Sequence, residues 1–416
     1  MVVPDNGTHV LAADRGRWDR LRGRSRRNAL RLQGAGFTAA AEGEAASAAP
    51  GAPSTLGPVA TIALARGIPA PECLPVEELA DCARAAVERD GTSVLSYGPV
   101  GGYAPLREWI AERHGVAPER VLLTNGSLQG FVFLAQRFAG ARVLVEQPTY
   151  DRPLKILRAL GTEVVQLPMD DQGLDPDAVA DALANGPRPA FLYTIPTFQN
   201  PSGRTLSTER RRRLVEIARD HQLLVLEDDP YGLVRFEGTA PPSLFELEGG
   251  THVAYSSSFS KTIAPGLRVG YFILPPELER ELEAAAVATY ITPVLLGQAT
   301  VYEFLRRGNF DPNLRRVQDL LRLRRDAMLE ALEAELSGLA EWRRPEGGYF
   351  LWLDLPQEIV ASDLLANAEE AGVTFVDGRD FGGAPNTARL AYSYVSPDEV
   401  REGVRRLAAQ VVAVPA

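Results

Sequence analysis

The sequence predicts an α/β protein: a mostly parallel central sheet with helices on both faces, followed by a smaller α+β domain. Three observations carry this expectation. Short continuous apolar runs alternate with helical patterns between Val121 and Leu274, the pattern of strands buried on both faces. Polar residues gather just beyond the carboxyl ends of those runs, where ligands of open α/β sheets sit. After Pro275 the pattern changes to amphipathic helices and then to short strands.

Composition sets the outer limits. The 416 residues leave room for one large domain and a smaller one, with ample core. Hydrophobic residues make up 45% and charged residues 24%, as in ordinary globular proteins. A net charge of −10 argues against general nucleic-acid binding. Cys73 and Cys82 fall in one predicted helical region. They form no disulfide framework or metal spacing, which fits a reducing, cytoplasmic compartment. The four histidines are scattered, so no metal site is expected. No apolar run reaches membrane-spanning length.

Residues 1–58 differ from the rest. Arg15, Arg17, Arg20, Arg22, Arg24, Arg26, Arg27 and Arg31 form a basic cluster, and an Ala/Gly/Ser/Pro-rich stretch follows from Gly34 to Pro58. This reads as a flexible N-terminal extension, and no apolar segment follows the charges as in a signal peptide. The organisation expected beyond it is 59–100 as the N-terminal part of a small domain, 101–310 as the large domain and 311–416 as the rest of the small domain.

Ile62–Pro69 reads as a short extended segment, and Leu74–Leu79 opens a helix with an early proline and acids in its first turn. Tyr97–Tyr103, with three glycines, precedes a helix over 104–114; it is either a tight turn or a loop that brings a phenol to a ligand. Val121–Thr124 reads as a strand, leading through Asn125-Gly126-Ser127 into a helix over 128–138. Such a junction is a ready anion site. Further strands are expected at 142–146, 163–167, 190–194, 223–227, 252–256 and 268–274, with helices over 153–160 and 208–221. The last part carries helices over 278–288, 296–307 and 314–336, then strands near 348–354, 373–376 and 388–394.

One stretch organises the chain chemically: Ser256-Ser257-Ser258-Phe259-Ser260-Lys261-Thr262, with Arg268 seven positions after the lysine. Lysine is rare here, most basic residues being arginine. An amine between apolar strands is partly desolvated, which lowers its pKa and favours attack on carbonyls. Ser258, Ser260 and Arg268 are groups that hold a phosphate. A lysine–aldehyde adduct beside a phosphate cup describes pyridoxal 5'-phosphate; a solvated loop lysine is the plain alternative. Other candidates follow other strands: Gly126 and Ser127, Tyr150, Asn200, then Asp228 and Tyr231. Asp228 is placed to keep a pyridine nitrogen protonated, Asn200 and Tyr231 to bond a phenolic oxygen, and Tyr150 to stack on the ring. Arg389, alone in an apolar strand, suits a carboxylate clamp.

These residues lie in longer motifs: Tyr97-Gly98-x-x-x-Gly102-Tyr103-x-Pro105-Leu106-Arg107, Thr124-Asn125-Gly126-Ser127, Gln199-Asn200-Pro201-Ser202-Gly203, Glu227-Asp228-Asp229-Pro230-Tyr231, Ser258-x-Ser260-Lys261 and Pro345-x-Gly347-Gly348-Tyr349-Phe350-x-Trp352. In order and spacing they resemble the class I/II pyridoxal-phosphate aminotransferases of fold type I, and most of all the branch containing 2-aminoadipate aminotransferase and the aminotransferase-like domains of MocR-type regulators. The resemblance covers roughly residues 60–410. It implies Lys261 as Schiff-base lysine and proton carrier, Asp228 on the pyridine nitrogen, and Asn200 and Tyr231 on the phenolic oxygen. It implies Tyr150 on the ring, and Gly126, Ser127, Ser258, Ser260 and Arg268 in the phosphate cup. It further implies Arg389 on the substrate carboxylate and Tyr97 reaching the phosphate of a partner subunit, hence a homodimer with shared sites. Three positions depart from the pattern: Ala65-Arg66-Gly67, Asp377 and Asn313. Arg66 and its neighbour Gly67 fall in the substrate-proximal segment, where Arg66 either senses an acidic side chain or points to solvent.

The function expected is transfer of an amino group from an L-amino acid to a 2-oxo acid such as 2-oxoglutarate. The same cofactor also serves lyases, cyclases and racemases, because fold and cofactor do not decide reaction type. A MocR-like regulator needs a winged helix-turn-helix, which residues 1–58 lack.

Overall fold

The computed structural model describes residues 60–413; the basic cluster and the small-residue stretch up to Pro58 lie outside them. A short strand β1 (Ile62–Ala63) precedes the central sheet. That sheet comprises β2 (Val121–Thr124), β3 (Arg142–Gln147), β4 (Glu163–Asp170), β5 (Gly173–Leu174), β6 (Phe191–Thr194), β7 (Leu224–Asp228), β8 (Val253–Ser258) and β9 (Gly270–Ile273). Their spatial order is β2-β9-β8-β7-β6-β3-β4-β5. The middle five, β8, β7, β6, β3 and β4, are parallel. β9 runs antiparallel between β2 and β8, and β5 turns back on β4.

The two-residue alternation of a strand explains why these runs read as continuously apolar. Val143, Val145, Phe191, Tyr193, Leu224 and Leu226 enter one core. Leu144, Leu192, Val225 and Val253 enter the other. The helices Ser127–Arg137 and Pro276–Tyr290 close the first face, and Ala104–His114 and Thr208–His221 the second.

A second, antiparallel sheet follows the long helix Phe310–Leu336, whose 27 residues span about 40 Å. Its strands are β10 (Glu341–Trp342), β11 (Phe350–Asp354), β13 (Val376–Asp377) and β14 (Thr387–Ala391), in the order β10-β11-β14-β13. β12 (Val373–Thr374) pairs in parallel with β1.

Most helix and strand limits fall within a few residues of expectation. Two points are corrected. Cys73 and Cys82 do not share a helix: Cys73 ends a 3-10 turn, Pro71–Cys73, and the helix carrying Cys82 begins at Val76. The helix Pro176–Ala184 was not anticipated, although Asp175 caps it by accepting from Asp177 N at 3.0 Å and Pro176 is the favoured first residue. No helix among the described residues is long and apolar enough to cross a membrane, and no group of His, Cys, Asp or Glu among them is arranged to hold a metal.

Candidate active site

The junction from β2 into the helix Ser127–Arg137 is built for an anion. Gly126 sits at φ +88°, and no side chain caps the helix start, so its first amide groups stay available. Arg268 closes over the junction: Nη2 donates to Asn125 O at 3.2 Å and Nη1 to Pro265 O at 3.2 Å. A Cβ on Gly126 would lie 2.1 Å from Arg268 Nη2, and one on Gly270 would lie 2.3 Å from Ser127 N. Only glycine allows either approach. Ser258, at the end of β8, and Ser260 stand beside Ser127 and Arg268 in one cavity of about 410 Å³.

Asp228 ends β7 on the floor of that cavity. Its Oδ2 accepts from the Tyr193 hydroxyl at 2.9 Å, while Oδ1 is buried with no partner. Burial raises its carboxyl to about 6, against the pull of the Tyr193 and Ser256 hydroxyls. Tyr231 and Tyr150 line the same space, and burial raises both phenols, Tyr150 to about 12. The turn that presents Asn200 is fastened from below. Gln199 Nε2 donates to Glu146 Oε2 at 2.9 Å, and Gln199 Oε1 accepts from Ser202 N at 2.8 Å.

Lys261 and Arg389 enter from opposite parts of the fold. Lys261 Nζ donates to Gly67 O at 3.2 Å. Burial, then the charges of Arg389 and Arg268, lower its pKa to about 8, as for an amine denied water and placed among cations. Arg389, in the middle of β14, lies 9% exposed. Its guanidinium carbon sits 4.3 Å from the ring centre of Phe350 and 4.9 Å from that of Phe381. Nη1 donates to Asn200 Oδ1 at 3.0 Å and Nη2 to Ala65 O at 2.9 Å, while Nε is buried without a partner. A buried cation held by neutral acceptors alone favours an incoming carboxylate.

The profile of the family described as aminotransferase class I and II matches residues 69–407. The chain belongs to that family. It is 40% identical over 355 residues to the 2-aminoadipate transaminase of Thermus thermophilus, covering 83% of this chain and 89% of the relative. It is 35% identical over 364 residues to aromatic-amino-acid aminotransferase 1 of Thermococcus litoralis, covering 83% and 87%. Among solved structures it is similar to the α-aminoadipate aminotransferase of Thermus thermophilus complexed with N-(5'-phosphopyridoxyl)-L-leucine. That match has a TM-score of 0.81 and 38% identity, over 85% of this chain and 92% of that one.

The protein is a pyridoxal-phosphate-dependent aminotransferase of fold type I. The residues present fit that cofactor. The open helix start with Arg268 suits a phosphate dianion, and the orphaned Oδ1 of Asp228 suits a cationic ring N–H.

Eleven of the candidates read from the aminotransferase sequence line the cavity: Gly67, Ser127, Tyr150, Asn200, Asp228, Tyr231, Ser258, Ser260, Lys261, Arg268 and Arg389. Gly126 acts beneath it through its backbone. Arg66 does not join them. It is exposed, with its guanidinium 4.2 Å from the ring centre of Tyr394. Tyr97 is 78% exposed and also outside the lining. Asp377 takes a local role, accepting from Arg379 N at 2.9 Å at the start of a 3-10 turn. Sequence reasoning missed Tyr193, Ser256, Phe131 and Phe350. Tyr193 had a readable signal: a tyrosine inside a doubly buried strand needs a polar partner, and the neighbouring strand ends in Asp228.

Proposed function

We propose that this aminotransferase takes its amino group from a dicarboxylic or aromatic L-amino acid and gives it to a 2-oxo acid such as 2-oxoglutarate. The relatives' named substrates support this range. The carrying observation is that the half-buried Lys261 Nζ and the buried Arg389 guanidinium share one cavity with the orphaned Oδ1 of Asp228.

Bound there, pyridoxal phosphate supplies the electron-accepting ring that carries the amino group between substrates. Gly126, Ser127, Ser258, Ser260 and Arg268 hold the phosphate. Asp228 would keep a proton on the ring nitrogen, Asn200 Nδ2 and the Tyr231 hydroxyl would bond the phenolic oxygen, and Tyr150 would cover one ring face. Arg389 turns the substrate carboxylate so that its α-carbon faces Lys261. Lys261 Nζ, its pKa lowered by burial and by Arg389 and Arg268, would take up and release the substrate α-proton.

A homodimer with shared sites completes this reading. Tyr97 stands 78% exposed in a surface with Leu95, Ile291 and Val294, each more than half exposed. That surface abuts the phosphate cup, because Val294 N donates to Asn125 Oδ1 at 3.0 Å. Apolar exposure of this kind favours burial against a second copy. We also take 59–100 with 311–416 as the smaller domain around 101–310. The bonds from Arg389 to Ala65 O and from Ala391 N to Leu64 O support it for the start of 59–100, whereas Cys82, Ala86 and Val94 pack with Leu295, Ala299 and Val301 of the larger part. A cytoplasmic location fits the two buried, unpaired cysteines.

The test adds single amino acids to the enzyme without any oxo acid. Transfer releases one 2-oxo acid per active site and then stops until 2-oxoglutarate is supplied. The amino acid that does so is the donor. Continuous product release without an acceptor would replace transfer by elimination.

A further inference from the structure

The turn that carries Lys261 ends before it can satisfy its own carbonyls. Phe259 O accepts from Ile263 N at 2.9 Å and from Ala264 N at 3.2 Å, so a single helical turn forms. The next residue, four places after Lys261, is Pro265, which has no N–H to give. Lys261 O therefore has no helical donor. The Tyr349 hydroxyl takes that place, donating to Lys261 O at 3.1 Å. Asn313 Nδ2 donates to the following carbonyl, Thr262 O, at 2.7 Å. Both donors are buried.

Each donor is itself oriented. Arg316 Nη2 donates to Asn313 Oδ1 at 2.8 Å, which turns the amide NH₂ toward Thr262. Tyr349 O accepts from Tyr392 N at 3.1 Å. The residue after Tyr349, Phe350, lies under the Arg389 guanidinium, and Trp352 pairs with Arg389 across β11 and β14. A continuous path thus runs from Arg389 through Phe350 and Tyr349 to the backbone of Lys261.

We propose that Tyr349 and Asn313 are positioning residues for Lys261, acting through the two backbone carbonyls they hold. This rests on Lys261 as the cofactor lysine. Holding two successive carbonyls stops the lysine Cα from drifting, so the four-carbon stem cannot swing the amine into water. The groups facing the amine are Arg389 and Arg268, the rings of Tyr231 and Tyr349, and, along the same cavity, Asp228 and Tyr150.

The experiment follows the visible absorbance of the lysine-bound cofactor against pH in the holoenzyme. Tyr349→Phe keeps the ring and removes only the hydroxyl. Asn313→Leu removes the amide, and Asn313→His restores an N–H donor. In Tyr349→Phe and Asn313→Leu the midpoint rises by about 0.5 pH unit, because the lysine nitrogen is no longer held as close to the charges of Arg389 and Arg268. Asn313→His returns it toward wild type. Midpoints equal to wild type in both Tyr349→Phe and Asn313→Leu would overturn the proposal, whatever happens to Tm. Failure of the underlying reading looks different: the titrating band would persist in Lys261→Ala.

Discussion

Arg389 donates to the side-chain oxygen of Asn200 across 3.0 Å, joining residues 189 positions apart. The bond occupies the acceptor end of the Asn200 amide and leaves its NH₂ for the cavity. It also gives the buried guanidinium a neutral partner that does not compete with an incoming carboxylate.

Asn200→Asp turns that neutral partner into a charged one. The new ion pair holds Arg389 against substrate, so KM for the amino donor rises about tenfold to a hundredfold, in line with the strength of charge-assisted pairs. Steady-state kinetics at saturating cofactor checks this, with kcat falling less than KM rises.

Asp228→Asn separates stability from cofactor binding. The native carboxyl titrates near about 6, above the ordinary value near 4. The folded state therefore binds more protons across that window, and stability falls as pH rises through it. Above pH 6 the whole penalty of the buried charge is present. Without cofactor, Asp228→Asn is more stable than wild type at pH 7 to 8 by about 1–3 kcal/mol, and the gap closes toward pH 4. With cofactor the order reverses, because the ring nitrogen loses its carboxylate. Thermal melts of both forms across pH 4 to 8 decide it.

Gly270→Ala acts on the phosphate cup alone. Its Cβ would stand 2.3 Å from Ser127 N, so the helix start must move. Cofactor affinity falls at least about tenfold, with about 1–3 kcal/mol of overpacking strain. Equilibrium titration with pyridoxal phosphate and a denaturant midpoint measure the two effects.

Arg66→Ala leaves KM for dicarboxylic and monocarboxylic donors within about twofold of wild type, since the guanidinium spends itself on Tyr394 in an exposed contact of about 0.5–1 kcal/mol. A tenfold loss confined to dicarboxylic donors would return Arg66 to substrate recognition.

The sheet and most of the site were legible from local patterns. Doubly buried runs such as Phe191–Thr194 are apolar throughout because both faces are covered, and Asn125-Gly126-Ser127 announces a helix start that needs a positive φ at Gly126. The insertion of β9 antiparallel between β2 and β8 was not legible, because strand order depends on which apolar faces meet.

The sequence alone determined the alternation of strands and helices, the strand-end polar residues and the lysine among hydroxyls, since these follow from backbone geometry and side-chain chemistry over a few residues. Only the tertiary structure decided that Arg389 meets Asn200, that Tyr193 supports Asp228, that Arg66 turns to Tyr394 and that Tyr349 replaces the donor missing at Pro265. Each of these joins distant segments, and the choice of partner is set by the burial of whole elements against one another, which no short stretch of chain encodes.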